Sequence, residues 1–295
     1  MSLLPALPHL LLMAPSVAHA DPGVLPAGSA ALYGGLGMST WSVGMSRNPR
    51  DPAAIFRLDT WSGVGLTEHL QLSGGVPLVH SRILSDGPDP PCPPNEADYC
   101  TPVTGLGDAH VLVHYGSSWK KLKGRLALGP RSDAWNAGTR LRYVNVGQGT
   151  WGGVLEGSVG AEHRAVGGFA EGRYIVRLGR PVPGYDFRAP SDAVQGTVAG
   201  FGSAGKLRVQ GAAHVHQQVA GVEYGPAYLQ TLYDTGNRWG SVAFAQLRGE
   251  LKLSWSLSDR SGLHLTASRA LATRNGPPDH TDVALGAHLW IPPSR

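Results

Sequence analysis

The sequence is short of charge and of cysteine: Asp, Glu, Lys and Arg make up 16% of 295 residues, and cysteine occurs 2 times. No apolar run reaches the ~18 residues that a spanning helix needs, so a helical membrane bundle is excluded. If the chain enters a bilayer, it does so as a closed barrel, the other structure that satisfies every backbone group in lipid. Dense Lys/Arg runs with interleaved aromatics are missing, and the net charge is only +4, so nucleic acid is not an expected partner. There is no phosphate-cradling Gly loop, no H-E-x-x-H and no G-x-S-x-G, so no catalytic residue and no cofactor is expected. Disorder is excluded too, because an apolar fraction of 42% is ordinary.

What is abundant is Gly (41) and Pro (23), a profile that suits many strands joined by turns. The N-terminus reads as a secretory signal over 1–20, with Leu10-Leu11-Leu12-Met13 in its apolar stretch and Ala18-His19-Ala20 as the cleavage site. No Lys or Arg precedes that stretch, which departs from the usual signal. The organisation that follows is a short periplasmic segment over 21–28 beginning near Asp21, a barrel over 29–291 and a tail over 292–295. Cys92 and Cys100 both lie in a Pro-rich polar loop, where an exported chain meets oxidising conditions, so a short disulfide is expected. A metal site there would want more ligands nearby.

From residue 29 onward the apolar residues alternate with period two. Leu70, Leu72, Val76 and Leu78 share one side, against Gln71 and Ser73. The same rhythm recurs in Ala109–Tyr115, Leu155–Glu162, Glu171–Leu178, Val194–Ala199, Leu207–His216, Val242–Leu253, Leu263–Ser268 and Asp282–Ile291. Weaker strands cover 29–42, 54–67 and 122–130. Residues 137–146 also alternate; they read as an external excursion, with two further strands as the alternative.

Short connections near 68–69, 119–122, 164–167, 203–205 and 256–261 alternate with long ones near 43–53, 80–104, 131–149, 179–191, 216–238 and 274–280. A soluble sandwich has no reason to sort its loops this way. The pattern predicts an all-β, transmembrane, up-and-down antiparallel β-barrel of about twelve strands, with short periplasmic turns and long external loops. Outer-membrane lipid is then a partner. Trp41, Trp61, Trp119, Trp151, Trp239, Trp255 and Trp290 fall near strand ends, where interfacial aromatic girdles sit.

In these strands one face is nearly free of charge, and the other carries the ionisable residues. The candidates for lining the lumen are Arg57, Asp59, His110, His114, Glu156, Glu171, Arg173, Arg177, Arg208, His214, Arg248, Glu250, Asp282 and His288, with Arg125 and Lys252 on the same side. His214 and His216 form a strand His-x-His, a pattern that can hold a metal. No third ligand can be placed, so the reading is of solvated lumen histidines and no metal. Mixed charges can pair and close a narrow lumen or select solutes in a wider one. About twelve strands lies between filled and open barrels, so both alternatives stand. The function expected is passive passage of a small solute, with a closed surface-interaction barrel as the alternative. A rim-sited lipid hydrolase is third; it would need a Ser–His pair on the lipid face, where these histidines are not.

Gly63-Val-Gly-Leu-Thr-Glu-His-Leu-Gln-Leu-Ser-Gly-Gly-Val-Pro-Leu-Val79 and Thr104-Gly-Leu-Gly-Asp-Ala-His-Val-Leu-Val-His-Tyr115 resemble a hairpin and the strand start after it in bacterial outer-membrane barrels. Together they are similar to the family of outer-membrane proteins of the phenol meta-cleavage pathway, whose relatives are called transporters of hydrophobic or aromatic compounds. The likeness is close over 63–79 and 104–115, and elsewhere rests on architecture alone. It implies a barrel of about twelve strands with a channel role, and it brings no catalytic residues. One departure is that Trp290-Ile291 is followed by Pro292-Pro293-Ser294-Arg295, rather than ending the chain on an aromatic.

Overall fold

A computed structural model describes residues 23–42, 52–83, 102–119, 121–132, 150–181, 188–189, 191–220, 244–274 and 280–293. The expected signal peptide, the Cys92–Cys100 disulfide and the alternating stretch 137–146 lie outside the described residues. Among those residues there is no helix. The strands are β1 (Ala30–Ser42), β2 (Pro52–Gly65), β3 (Leu70–Ile83), β4 (Val103–Leu106), β5 (Ala109–Trp119), β6 (Leu122–Ser132), β7 (Trp151–His163), β8 (Val166–Arg177), β9 (Arg180–Pro181), β10 (Arg188–Ala189), β11 (Ala193–Ala204), β12 (Leu207–Gln218), β13 (Ala245–Ser256), β14 (Ser261–Arg274) and β15 (Thr281–Ile291).

Each long strand pairs antiparallel with its sequence neighbour, and β1 pairs with both β2 and β15, which closes the ring. β4 and β5 both pair with β3 and together form one interrupted stave, so the barrel has 12 strands. The interruption is a bulge: Leu78 faces Leu106, but Gly75 faces His110, so the stretch around Gly107-Asp108 holds one residue more than its partner. Pro77, which has no N–H to give, sits opposite this break, and its carbonyl accepts from Gly107 N at 2.8 Å. Among the described residues the two short strands β9 and β10 pair with each other alone.

Tight turns at Leu66–His69, Arg164–Ala165, Gly205–Lys206 and Leu257–Arg260 gather at one end of the barrel, beside the start of β1 and the end of β15. The long connections leave from the other end. Two-residue hairpins need a positive φ, which Gly205 adopts freely at 58°, and Arg164 adopts the same value.

The burial pattern is inverted relative to a soluble protein. Leu36 and Val198 are each 65% exposed, and Leu126, Val159, Leu251 and Leu285 stand out in the same way all round the barrel. The buried face instead carries Arg57, Asp59, Gln71, His114, Arg125, Glu156, Arg177, His214, Arg248 and Lys252. So continuous an apolar exterior is costly in water and at home in hydrocarbon. Trp151 and Trp255, near strand ends, are on this exterior face. Trp61 is not: it is 9% exposed on the inner face, and Trp290 shares that parity on β15. The girdle expectation therefore fails at these two positions, because closeness to a strand end fixes height along the barrel, whereas parity fixes the side. Trp239 and the side chains of Trp41 and Trp119 lie outside the described residues.

Candidate functional site

The interior is assembled by ladder rows that carry side chains of one parity around the ring. One row runs Glu156, Arg173, Gln195, His216 and Gln246 across β7, β8, β11, β12 and β13. The next runs Ser158, Glu171, Thr197, His214 and Arg248. Alternation in each strand thus becomes a belt of polar groups inside.

On one wall, Glu156 is the centre of an ion cluster. Its Oε1 accepts from Arg125 Nη2 at 2.8 Å, and its Oε2 accepts from Arg173 Nη2 at 2.7 Å and Nε at 3.1 Å. Glu171 lies 3.5 Å from Arg173 and 3.7 Å from Arg125. Two guanidiniums against two carboxylates make the cluster neutral, which lets it be buried without a net charge in a low-dielectric interior. Beside it, His114 is in hydrogen-bond contact with Ser73 Oγ at 2.6 Å, and half-buried His110 packs near Gly75.

Across the ring, Arg57 Nε donates to Asp59 Oδ2 at 2.8 Å. Arg248 pairs with Asp282 and with Ser268, and Asp282 also takes Ser268 Oγ at 3.0 Å and His280 Nε2 at 3.1 Å. Glu250 stands 3.3 Å from His214, whose other ring nitrogen meets Thr197 Oγ1 at 3.0 Å. Nearer the rims, Arg177 Nη1 donates to the Ser191 carbonyl at 2.6 Å, and the Arg208 guanidinium lies 3.4 Å over the Phe201 ring. His288 is stacked near His264, 6.4 Å between ring centres.

The two walls meet around a cavity of about 60 Å³, with Glu171 and Arg173 on one side and Arg57, Arg248, Glu250 and Asp282 on the other. That is room for a few waters. The arrangement offers paired charges of both signs to a small solute. His214 and His216 point inward on β12, and among the described residues no group of His, Cys, Asp and Glu is arranged to hold a metal.

Toward the tight-turn end the interior turns aromatic. Tyr33 stacks on His264, with 5.1 Å between ring centres and a 3.2 Å contact from Tyr33 Oη to His264 Nε2. Gly35 on β1 makes room for Tyr33, since a Cβ there would stand 2.5 Å from its hydroxyl. Trp61, Phe169 and Phe201 are buried on the same inner face. None of these was among the charge-based candidates. Parity was the available signal: Tyr33 alternates with Leu32 and Gly34, and Phe201 with Gly200 and Gly202.

No family model and no curated protein sequence matches this chain. Among solved structures it is similar to an outer membrane channel from Pseudomonas putida F1, at 13% identity over 93% of this chain and 100% of that one, with a TM-score of 0.65. It is also similar to the NanC porin, at 9% identity over 88% of this chain and 98% of that one, with a TM-score of 0.53. The chain has the fold of an outer-membrane β-barrel. At these identities the likeness establishes the fold alone, and the chemistry has to be argued from the interior just described.

Proposed function

We propose that the barrel sits in the outer membrane, is exported through a cleaved signal peptide, and passes small solutes through a narrow interior. The observation that carries this reading is the pair of opposed ionic walls around the central cavity. Side chains whose charges are satisfied by one another can exchange one partner for a polar solute without exposing a bare buried charge. The lumen candidates named from the sequence, from Arg57 to His288, are proposed as the lining that sets this selectivity. The aromatic faces of Tyr33, Trp61, Phe169 and Phe201 favour solutes with an apolar or aromatic part, in keeping with the sequence resemblance of 63–79 and 104–115. Liposome swelling tests the reading: proteoliposomes should swell in small aromatic acids and not in disaccharides, and equal exclusion of both would remove it.

A second reading, a closed barrel acting through its external loops, is favoured by one observation, the small central cavity with Arg125, Glu156 and Arg248 all buried. Permeability measurements separate the two.

A further inference from the structure

We propose that residues 23–28 form a plug that closes the barrel at its tight-turn end. Sequence alone places 21–28 outside the barrel as a short periplasmic segment, yet the described part of it lies against inner faces of three strands. Leu25 N donates to Gln71 Oε1 at 2.9 Å, and Gln71 is a β3 side chain only 1% exposed. Gly65 on β2 lacks a side chain just where the segment passes: a Cβ there would lie 2.5 Å from the Leu25 carbonyl oxygen and would collide with that of Pro26. On β5, a Cβ at Gly116 would stand 2.7 Å from Val24 Cγ1. Real Cβ atoms do not approach so closely, so these two glycines hold the space that the segment fills.

The path into the mouth is built as a turn. Ser29 N and Oγ both donate to the Pro26 carbonyl, at 3.0 and 2.7 Å, and Gly28 takes a left-handed φ of 73°. Gly28 N to Gly65 O and Gly65 N to Ser29 O, each 2.9 Å, pin this turn to the end of β2. The chain therefore reverses at the rim ahead of β1 and runs back inward. Val24 and Leu25 bring apolar side chains, and Trp61 is buried on the inner face of β2 nearby. Gly116 stands opposite Arg125 in the ladder, so Val24 lies against the inner wall where β5 meets β6. The consequence for passage rests on the channel reading: a solute crossing the lumen has to move residues 23–28 aside, while the turn at Gly28 stays attached.

The test uses a reporter that does not depend on conduction. In a Cys92→Ser/Cys100→Ser background, Ser73→Cys places a thiol on the buried inner face of β3, next but one to Gln71. A membrane-impermeant maleimide is applied from the tight-turn side. Removing residues 23–27 should speed labelling at least about tenfold. Gly65→Val in the full chain should do the same by expelling the segment, and it serves if the shortened chain does not fold. Labelling no faster in either variant, with the barrel intact by heat-modifiable mobility, overturns the plug. Faster labelling in a barrel that never conducts supports the plug while removing the channel reading.

Discussion

Glu156 on β7 faces Arg173 on β8 directly across the ladder, and the two are joined at 2.7 Å inside the barrel. Arg125 takes the other carboxylate oxygen, and both Arg125 and Glu156 side chains are 4% exposed. Glu156→Ala should therefore leave Arg125 and Arg173 to share Glu171 alone, with one positive charge uncompensated beside the buried Arg125, and lower barrel stability by about 3 kcal/mol. The exposed contact between Lys121 and His163 is the contrast, since Lys121→Ala should cost under about 1 kcal/mol. Urea-dependent loss of the heat-modifiable gel band reads both, and equal midpoints would show that the cluster is not structurally important.

The exterior makes a second, independent prediction. Leu36 is 65% exposed near the middle of β1, between Leu58 and Leu285 in the ladder. Leu36→Arg should destabilise the barrel in bilayers by about 2–4 kcal/mol, because a guanidinium replaces a methyl-bearing chain at mid-depth in lipid. Refolding titrations into vesicles measure it. A neutral result would mean that this face does not meet hydrocarbon.

Tryptophan fluorescence tests which side each ring faces. Brominated acyl chains should quench Trp151 and Trp255, which are 60% and 52% exposed, and spare Trp61, which is 9% exposed. Trp61→Phe should leave the quenched fraction of the signal higher, whereas Trp151→Phe and Trp255→Phe should lower it. The reverse pattern would place Trp61 outside.

These cases also mark what could be read from the chain alone. Strands such as Leu70–Leu78 were legible because period-two alternation is a local property, and the tight turns were legible because the apolar rhythm stops there. The ring count followed from loops that alternate in length. The pairing of Tyr33 with His264 was not legible, since 231 residues separate them and closure of β1 on β15 brings them together. The side of Trp61 was misjudged because nearness to a strand end was weighed above parity with Arg57 and Asp59. The seat of residues 23–28 was hidden for a related reason. It consists of missing side chains at Gly65 and Gly116, and a glycine in a strand reads only as a weak strand residue until its neighbours in space are known.

The central claim is that ions and small solutes pass between the two ionic walls, and planar-bilayer recording tests it most directly. The refolded protein is compared with an Arg173→Ala/Arg177→Ala variant, each with and without residues 23–27. The account predicts discrete steps, larger in the shortened forms, with selectivity displaced toward cations once the two arginines are gone. Silence from all four preparations, each a folded and heat-modifiable barrel, would contradict it.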